Sequence, residues 1–422
     1  MTQALAAKSL TEGFGISLPM VTGSNLSAVF YQPVIAWPPG YTLLLTPIYL
    51  TTGNLKGSTF ILEVFSTIFF YFIYFFLLKK LAFPYWIRSL LFLFSGFFLS
   101  QDVLYSSATD LLAVSFLLMA LYYSLLVYEK SRTFIVNGLV LGLLCFLPAF
   151  FRHLYLPVVP VIPLILLGNA LLRKNKNNIT TAAIALSVIL ISCILLLSFL
   201  LNNKGFTGNI SAPEPINSIH FDFLKYLHPF IFSSFINIDF AALQISAVTG
   251  IKYIDIRLFI LAIHFPLLVA IILYFLSLLL KNKFRLYTTW DVFFSTSFLI
   301  STIIVSCLSL LTIISPLMRG WTYIQEERYF KFIAVCLPVI FFYYFHSNRN
   351  KEINRFKKFF HYGIILLICL DVLRGFYFIN EDVLPLKNYK PSILCKTGLT
   401  WRLLLIKTKH LVQMLLPAQT NF

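Results

Sequence analysis

Charge is what this sequence has least of. Asp, Glu, Lys and Arg make up 12% of its 422 residues, against roughly 25% in a water-soluble domain. That shortfall excludes an independently soluble globular chain, because too few polar side chains remain to cover an apolar interior. Acid is scarcer than base, 16 residues against 33, and the formal charge is +17. Nucleic acid is not the implied partner. The Lys and Arg fall in short clusters between apolar runs, as topology signals and lipid-headgroup contacts do. Cysteine is sparse and unpaired: Cys145, Cys193, Cys307, Cys336, Cys369 and Cys395 are scattered and form no CxxC, so neither a disulfide framework nor a structural zinc site is indicated. No basic-then-apolar leader follows Met1, and no internal repeat is visible.

What is present is apolar bulk. The chain is 59% hydrophobic, with 45 Phe, and its mean hydropathy is +0.84. This composition predicts an all-α polytopic membrane protein with one membrane domain. A helix crosses a bilayer in about 17–25 apolar residues. Runs of that kind lie at 58–78, 84–104, 109–128, 134–151, 154–171, 179–201, 257–280, 290–315, 330–346 and 359–379, a bundle of about ten. Leu111 to Val127 is the clearest, with no charge in it. Pro157, Pro160 and Pro163 predict an irregular fifth span. Arg88 lies near one end of the second, where it can snorkel.

Three regions follow. Residues 1–57 read as a first outer loop, truncated at its start; 58–379 as the helical domain, with an outer loop at 202–256; 380–422 as a basic amphipathic tail. Within the first, Ala4 to Leu10 reads as a short amphipathic helix ended by Gly13 and Gly15. Trp37-Pro38-Pro39-Gly40-Tyr41 reads as a stiff extended segment, with Gly40 allowing a sharp turn.

Lys and Arg set the orientation. They cluster at 79–80, 130–132, 173–176, 281–285 and 349–358, which are alternate connections. The positive-inside rule makes these cytoplasmic. Residues 1–57, 105–108, 152–153, 202–256, 316–329 and the tail from 380 then face outward. A free outer lead of this length needs a preceding signal or span, so the expectation is that an earlier span exists in the natural protein.

The outer connections carry the chemically useful side chains. Asp110 follows a short turn at the start of a helix, where it also suits the helix dipole. Arg152 and His153 sit on a tight connection, and Arg152 could equally anchor headgroups. Glu326, Glu327, Arg328 and Tyr329 precede an apolar run, and Arg328 suits an anion. His220 and His228 lack a carboxylate at ligand spacing, so no metal site is indicated.

Four stretches, taken in order, carry a family resemblance: Ala7-Lys8-Ser9-Leu10-Thr11-Glu12-Gly13-Phe14-Gly15, Trp37-Pro38-Pro39-Gly40-Tyr41 opening a helix, Ser107-Ala108-Thr109-Asp110-Leu111-Leu112, and Glu326-Glu327-Arg328-Tyr329-Phe330 before Leu337-Pro338. The chain resembles the GT-C superfamily of polytopic glycosyltransferases, and within it the bacterial enzymes similar to protein O-mannosyltransferases and the lipid A aminoarabinose transferase. The resemblance implies transfer of a sugar, a hexose or pentose, from a polyprenyl-phosphate donor to a glycan, lipid or protein acceptor outside the cytoplasm. It implies a bacterial inner membrane, a carboxylate base, and cations that hold the leaving phosphate. Asp110 matches a second acidic position of the family, at the outer end of a helix, where the resemblance implies contact with the acceptor or the sugar; Arg328 and Tyr329 match its late Arg-Tyr pair and would face the lipid phosphate. Arg152 is a second phosphate candidate, and Pro38, Pro39 and Tyr41 would shape the cavity wall. The family's first-loop acidic base would fall before Met1. No cofactor is implied with certainty; a divalent metal is compatible with the chemistry but not indicated by ligand spacing. The rival expectations are a transporter or flippase of a lipid-linked sugar and an inactive truncated family member.

Overall fold

The computed structural model of the protein describes residues 2–22, 25–34, 38–92, 95, 108–129, 133–202, 288–319 and 331–347, with scattered positions between 246 and 273. It is mostly helical, and six of its helices are long and apolar enough to cross a membrane. The second half of the span expected at 84–104, most of 257–280 and all of 359–379 lie outside the described residues, as do nearly all of the 202–256 loop and the whole tail.

The chain opens with α1 (Thr2–Thr11), the hairpin β1 (Ser17–Thr22) and β2 (Asn25–Pro33), and α2 (Gly40–Thr52). The bundle then follows: α3 (Leu55–Lys80), α4 (Ala108–Glu129), α5 (Phe134–Phe151), a 3-10 turn (His153–Val158), α6 (Val161–Leu172), α7 (Lys176–Asn202), α8 (Thr289–Arg319) and α9 (Lys331–Ser347).

The centre is α4. Leu112, Ala113, Val114, Leu118, Ala120, Leu121 and Leu125 are all fully buried. A helix apolar all round belongs where neighbours cover every face, and its charge-free run meets that condition. α5 packs against it, with Phe116 stacked on Phe151 at 5.3 Å between ring centroids. Phe69 of α3 meets the same Phe116 ring at 5.1 Å, so the three helices join there.

α5 packs closely on α7. Gly138 and Gly142 form a GxxxG step on α5, facing Ile184, Ala185 and Val188. A Cβ on Gly142 would lie 2.7 Å from Val188 Cβ and 2.8 Å from the Ala185 carbonyl oxygen. Small residues let the two backbones approach, which is how helices associate without a hydrophobic drive between them. Gly142→Val should therefore push the pair apart and destabilise the protein by about 1–3 kcal/mol. A lowered midpoint in detergent thermal melts checks this; an unchanged midpoint would show that the helices separate freely.

α7 also shows what surrounds the bundle. Leu190, Ile191, Ile194 and Leu195 are each between 53% and 65% exposed. Ile68 and Phe72 of α3 and Leu139 and Leu143 of α5 are exposed as well. Continuous apolar surface of this kind needs acyl chains rather than water. The protein is an integral membrane protein in this sense.

The two ends of the bundle differ. At one end Lys80 of α3 forms an ion pair with Glu129 of α4, and the other carboxylate oxygen of Glu129 accepts from Thr289 Oγ1 of α8 at 2.9 Å. Arg173, after α6, lies over the Tyr128 ring at 5.1 Å. Thr181 near the start of α7 donates to the Phe134 carbonyl at 3.2 Å. The Lys- and Arg-bearing connections at 79–80 and 173–176 therefore share one end with the start of α8. Thr288 and Asp291 build a capping box there, with Thr288 N–H on Asp291 Oδ2 at 2.8 Å and Asp291 N–H on Thr288 Oγ1 at 3.1 Å. Arg88 stacks over Tyr85 and Phe75 at 5.7 and 5.9 Å, while Tyr85 and Trp86 stand exposed beside it, as an interfacial aromatic belt does.

At the opposite end the N-terminal layer corrects two expectations. Residues 17–33 form an antiparallel hairpin, with Ser17 opposite Pro33 and Met20 opposite Phe30. It is a small strand element in a fold expected to be all helix. Its Met20, Val29 and Phe30 are exposed, so at these positions no burial imposed an apolar alternation on the sequence. The Pro-Pro segment is not extended at Pro39, which caps α2 at φ −72°, ψ −15°. Gly40 is needed for space rather than for a turn. A Cβ there would lie 2.6 Å from the Phe150 carbonyl oxygen and 3.0 Å from Phe151 Cδ1. The amphipathic helix at the start is present as α1, which ends ahead of Gly13 at φ +86° and Gly15 at φ +70°. It buries Ala4, Ala6 and Ala7. α2 ends at Gly53, φ +63°, and Asn54 caps α3 by accepting from Lys56 and Gly57 N–H at 3.0 and 3.3 Å.

Candidate functional site

Two residues 42 apart in sequence meet at the hairpin end. Asp110, in the first turn of α4, and Arg152, just past the end of α5, form a buried ion pair. Arg152 Nε donates to Asp110 Oδ1, and Nη2 donates to Oδ2 at 3.3 Å. Their side chains are 3% and 6% exposed. Such a pair survives burial only when its geometry satisfies both charges, and the side-on, two-point contact does so.

The local chain explains why Arg152 is there. Pro148 in the last turn of α5 has no N–H, so the helix ladder is already broken. Arg152 takes an extended conformation, φ −148°, ψ 115°, with its N–H on the Pro148 carbonyl at 2.9 Å. The chain then tightens into the 3-10 turn, where Tyr155 N–H bonds the Arg152 carbonyl at 3.0 Å. Pro157 lies inside that turn and Pro160 caps α6. The irregular span expected from the three prolines is this turn. It holds the guanidinium beneath the start of α4 instead of along a helix face.

Two further residues belong to the same place. Tyr155 is 2% exposed and lies within electrostatic reach of both Asp110 and Arg152. His153 places its Nε2 out of solvent with no hydrogen-bond partner among the described residues. Reading the sequence missed Tyr155, and its signal was faint: a tyrosine three residues after an arginine, followed by prolines. Lys331, the first residue of α9, is 1% exposed. α9 stacks Tyr343 on Trp290 at the Lys-rich end, ring centroids 3.4 Å apart. Twelve residues of helix at about 1.5 Å each carry Lys331 well toward the Asp110 end.

The wall residues are placed as follows. Pro38 and Pro39 are buried. The Pro38 carbonyl accepts from Gln3 Nε2 at 3.2 Å, and Thr42 Oγ1 donates to the Gln3 carbonyl at 3.3 Å, which fastens α1 to α2. Through Gly40 this corner abuts Phe150 and Phe151, the residues just before Arg152. Tyr41 is 5% exposed. Burial pushes its phenol up and the Glu63 carboxylate pushes it further, so it stays a neutral hydrogen-bonding group. Trp37, Arg328 and Tyr329 lie outside the described residues. Among the described residues no three His, Cys, Asp or Glu side chains converge as metal ligands.

Chemically the corner offers a carboxylate able to accept a proton, a guanidinium able to hold an oxyanion, and an imidazole nitrogen without a hydrogen-bond partner among the described residues. Comparisons with protein-family models, with curated proteins and with solved structures give no match for this chain.

Proposed function

We propose that the protein is a membrane glycosyltransferase that moves a sugar from a polyprenyl-phosphate donor to an acceptor at the non-cytoplasmic face, as its resemblance to the GT-C superfamily implies. The observation that supports this reading best is the meeting of Asp110 and Arg152 in one buried corner. Transfer from a phosphate donor needs both kinds of group. A carboxylate takes the acceptor hydroxyl proton, and cations stabilise the phosphate as the C–O bond to the sugar breaks and the sugar carbon becomes oxocarbenium-like. Asp110, which the resemblance assigns to acceptor or sugar contact, is the carboxylate that takes the proton in this reading. Arg152 holds the phosphate together with Arg328 and Tyr329, and the Pro38–Tyr41 corner closes the wall.

Orientation is part of the proposal. The Lys- and Arg-bearing connections at 79–80 and 173–176 share the end away from Asp110, and the positive-inside rule assigns such an end to the cytoplasm. The corner then faces outward in a bacterial inner membrane. The pair sits in the first turn of α4, at the mouth of the bundle, whereas a transporter carries its charges near the midplane.

The test is transfer from candidate polyprenyl-phosphate sugars in membranes containing the protein. Arg328→Ala should abolish transfer while the protein still accumulates in the membrane. Undiminished transfer by that variant would remove Arg328 from the site, and no transfer from any lipid-linked donor by the wild type would remove the reading.

A further inference from the structure

We infer that the Arg152 guanidinium is an anion site whose resting occupant is the Asp110 carboxylate, and that a phosphate ester binds by displacing that carboxylate. The ligand class rests on the transferase reading above; the exchange itself rests on the geometry. Asp110 occupies Arg152 through Nε and Nη2, a side-on contact with two oxygens. Phosphate is gripped by a guanidinium in the same fork geometry. Carboxylate and phosphate therefore compete for one edge of one side chain. Both groups are at most 6% exposed, so two anions placed together there would repel strongly. Occupancy is then mutually exclusive.

A second group adjoins the pair in the chain. His153 adjoins Arg152 and buries Nε2 with no hydrogen-bond partner among the described residues. A buried polar atom left without a partner is destabilising, and native structures keep few of them. A phosphate oxygen within its reach would give it one, which the resting carboxylate does not. Arg152 and His153 together make the seat.

The consequence is an order of events. Without a phosphate ester, both Asp110 oxygens are engaged by Arg152 and none is presented to an acceptor hydroxyl. When the ester takes the guanidinium, the carboxylate loses its Arg152 contact, turns away from the phosphate and can accept the acceptor's proton. The base is thus available only when the donor is bound, which protects against idle activation of water.

The test measures binding of farnesyl phosphate, a short polyprenyl phosphate, to the full chain in nanodiscs, with farnesol, inorganic phosphate and phosphatidylglycerol nanodiscs as the other arms. Asp110→Asn should bind farnesyl phosphate at least about tenfold more tightly than the wild type, because the competing charge is gone. Arg152→Gln should bind it at least about tenfold more weakly, and the gain from Asp110→Asn should vanish in the double variant. His153→Ala should weaken binding, with His153→Asn restoring part of it. Should Asp110→Asn fail to fold, the wild type labelled with 15N at arginine answers the question. The Nε signal absent from Arg152→Lys should move on adding farnesyl phosphate and stay on adding farnesol. Binding by the wild type without tightening in Asp110→Asn, or without movement of that signal, overturns the exchange and leaves the transferase reading in place. Binding of inorganic phosphate alone, or of phosphatidylglycerol as tightly as farnesyl phosphate, keeps the exchange but assigns it to a free anion or a headgroup, and removes the lipid-linked donor. No binding of any phosphate overturns both.

Discussion

Arg152→Ala should abolish transfer and lower stability by about 3–5 kcal/mol, the usual loss when one partner of a buried ion pair is removed. Two effects combine. The Asp110 carboxylate is left 2% exposed with its charge uncompensated, and the phosphate loses a cation. Chemical or thermal unfolding in detergent reads the first, and the membrane transfer assay reads the second. The exchanged pair, Asp110→Arg with Arg152→Asp, separates them. It restores charge balance and should recover part of the stability, less than all because arginine in the first turn of α4 opposes the helix dipole. It should not recover transfer, since the base and the cation have changed places. Recovery of transfer would show that the pair is structural only.

Asp110→Asn is the second large effect. Turnover should fall by about 10²–10⁴, the usual contribution of a general base. Stability should fall less than for Arg152→Ala, because asparagine keeps the shape and one acceptor toward Arg152. The two readouts part company here: kcat drops while the donor is held at least as tightly. Wild-type turnover by this variant would return Asp110 to the simpler role of a charge favouring the start of α4.

The membrane-spanning frame was legible from the residues. The run at 134–151 coincides with α5, and 109–128 matches α4 within one residue at each end. Such runs are legible because the bilayer tests a local property, apolar length, which a single segment carries by itself. The prolines at 157, 160 and 163 announced a break for the same reason: the missing N–H acts on its own helix. The hairpin at 17–33 was not legible, because strands exposed to solvent carry no apolar alternation, although Gly23-Ser24 between them is a turn signal. The small-residue step Gly138–Gly142 is visible as a motif, but its partner on α7 is not.

The corner itself divides the same way. Asp110 and Arg152 were each identifiable as scarce charges at the ends of apolar runs, and each had an innocent explanation, a helix start and a headgroup anchor. That they neutralise one another follows from neither residue. It depends on α4 and α5 running antiparallel, on Phe116 against Phe151 setting their register, and on the extended Arg152 backbone that aims the side chain under α4. Sequence alone determined that this is a membrane bundle and, among the described residues, where its spanning helices lie, because burial in lipid is decided residue by residue. Only the tertiary structure decided that its acid and its cation form one site, because an ion pair is a relation between distant segments, and packing is what brings them within reach.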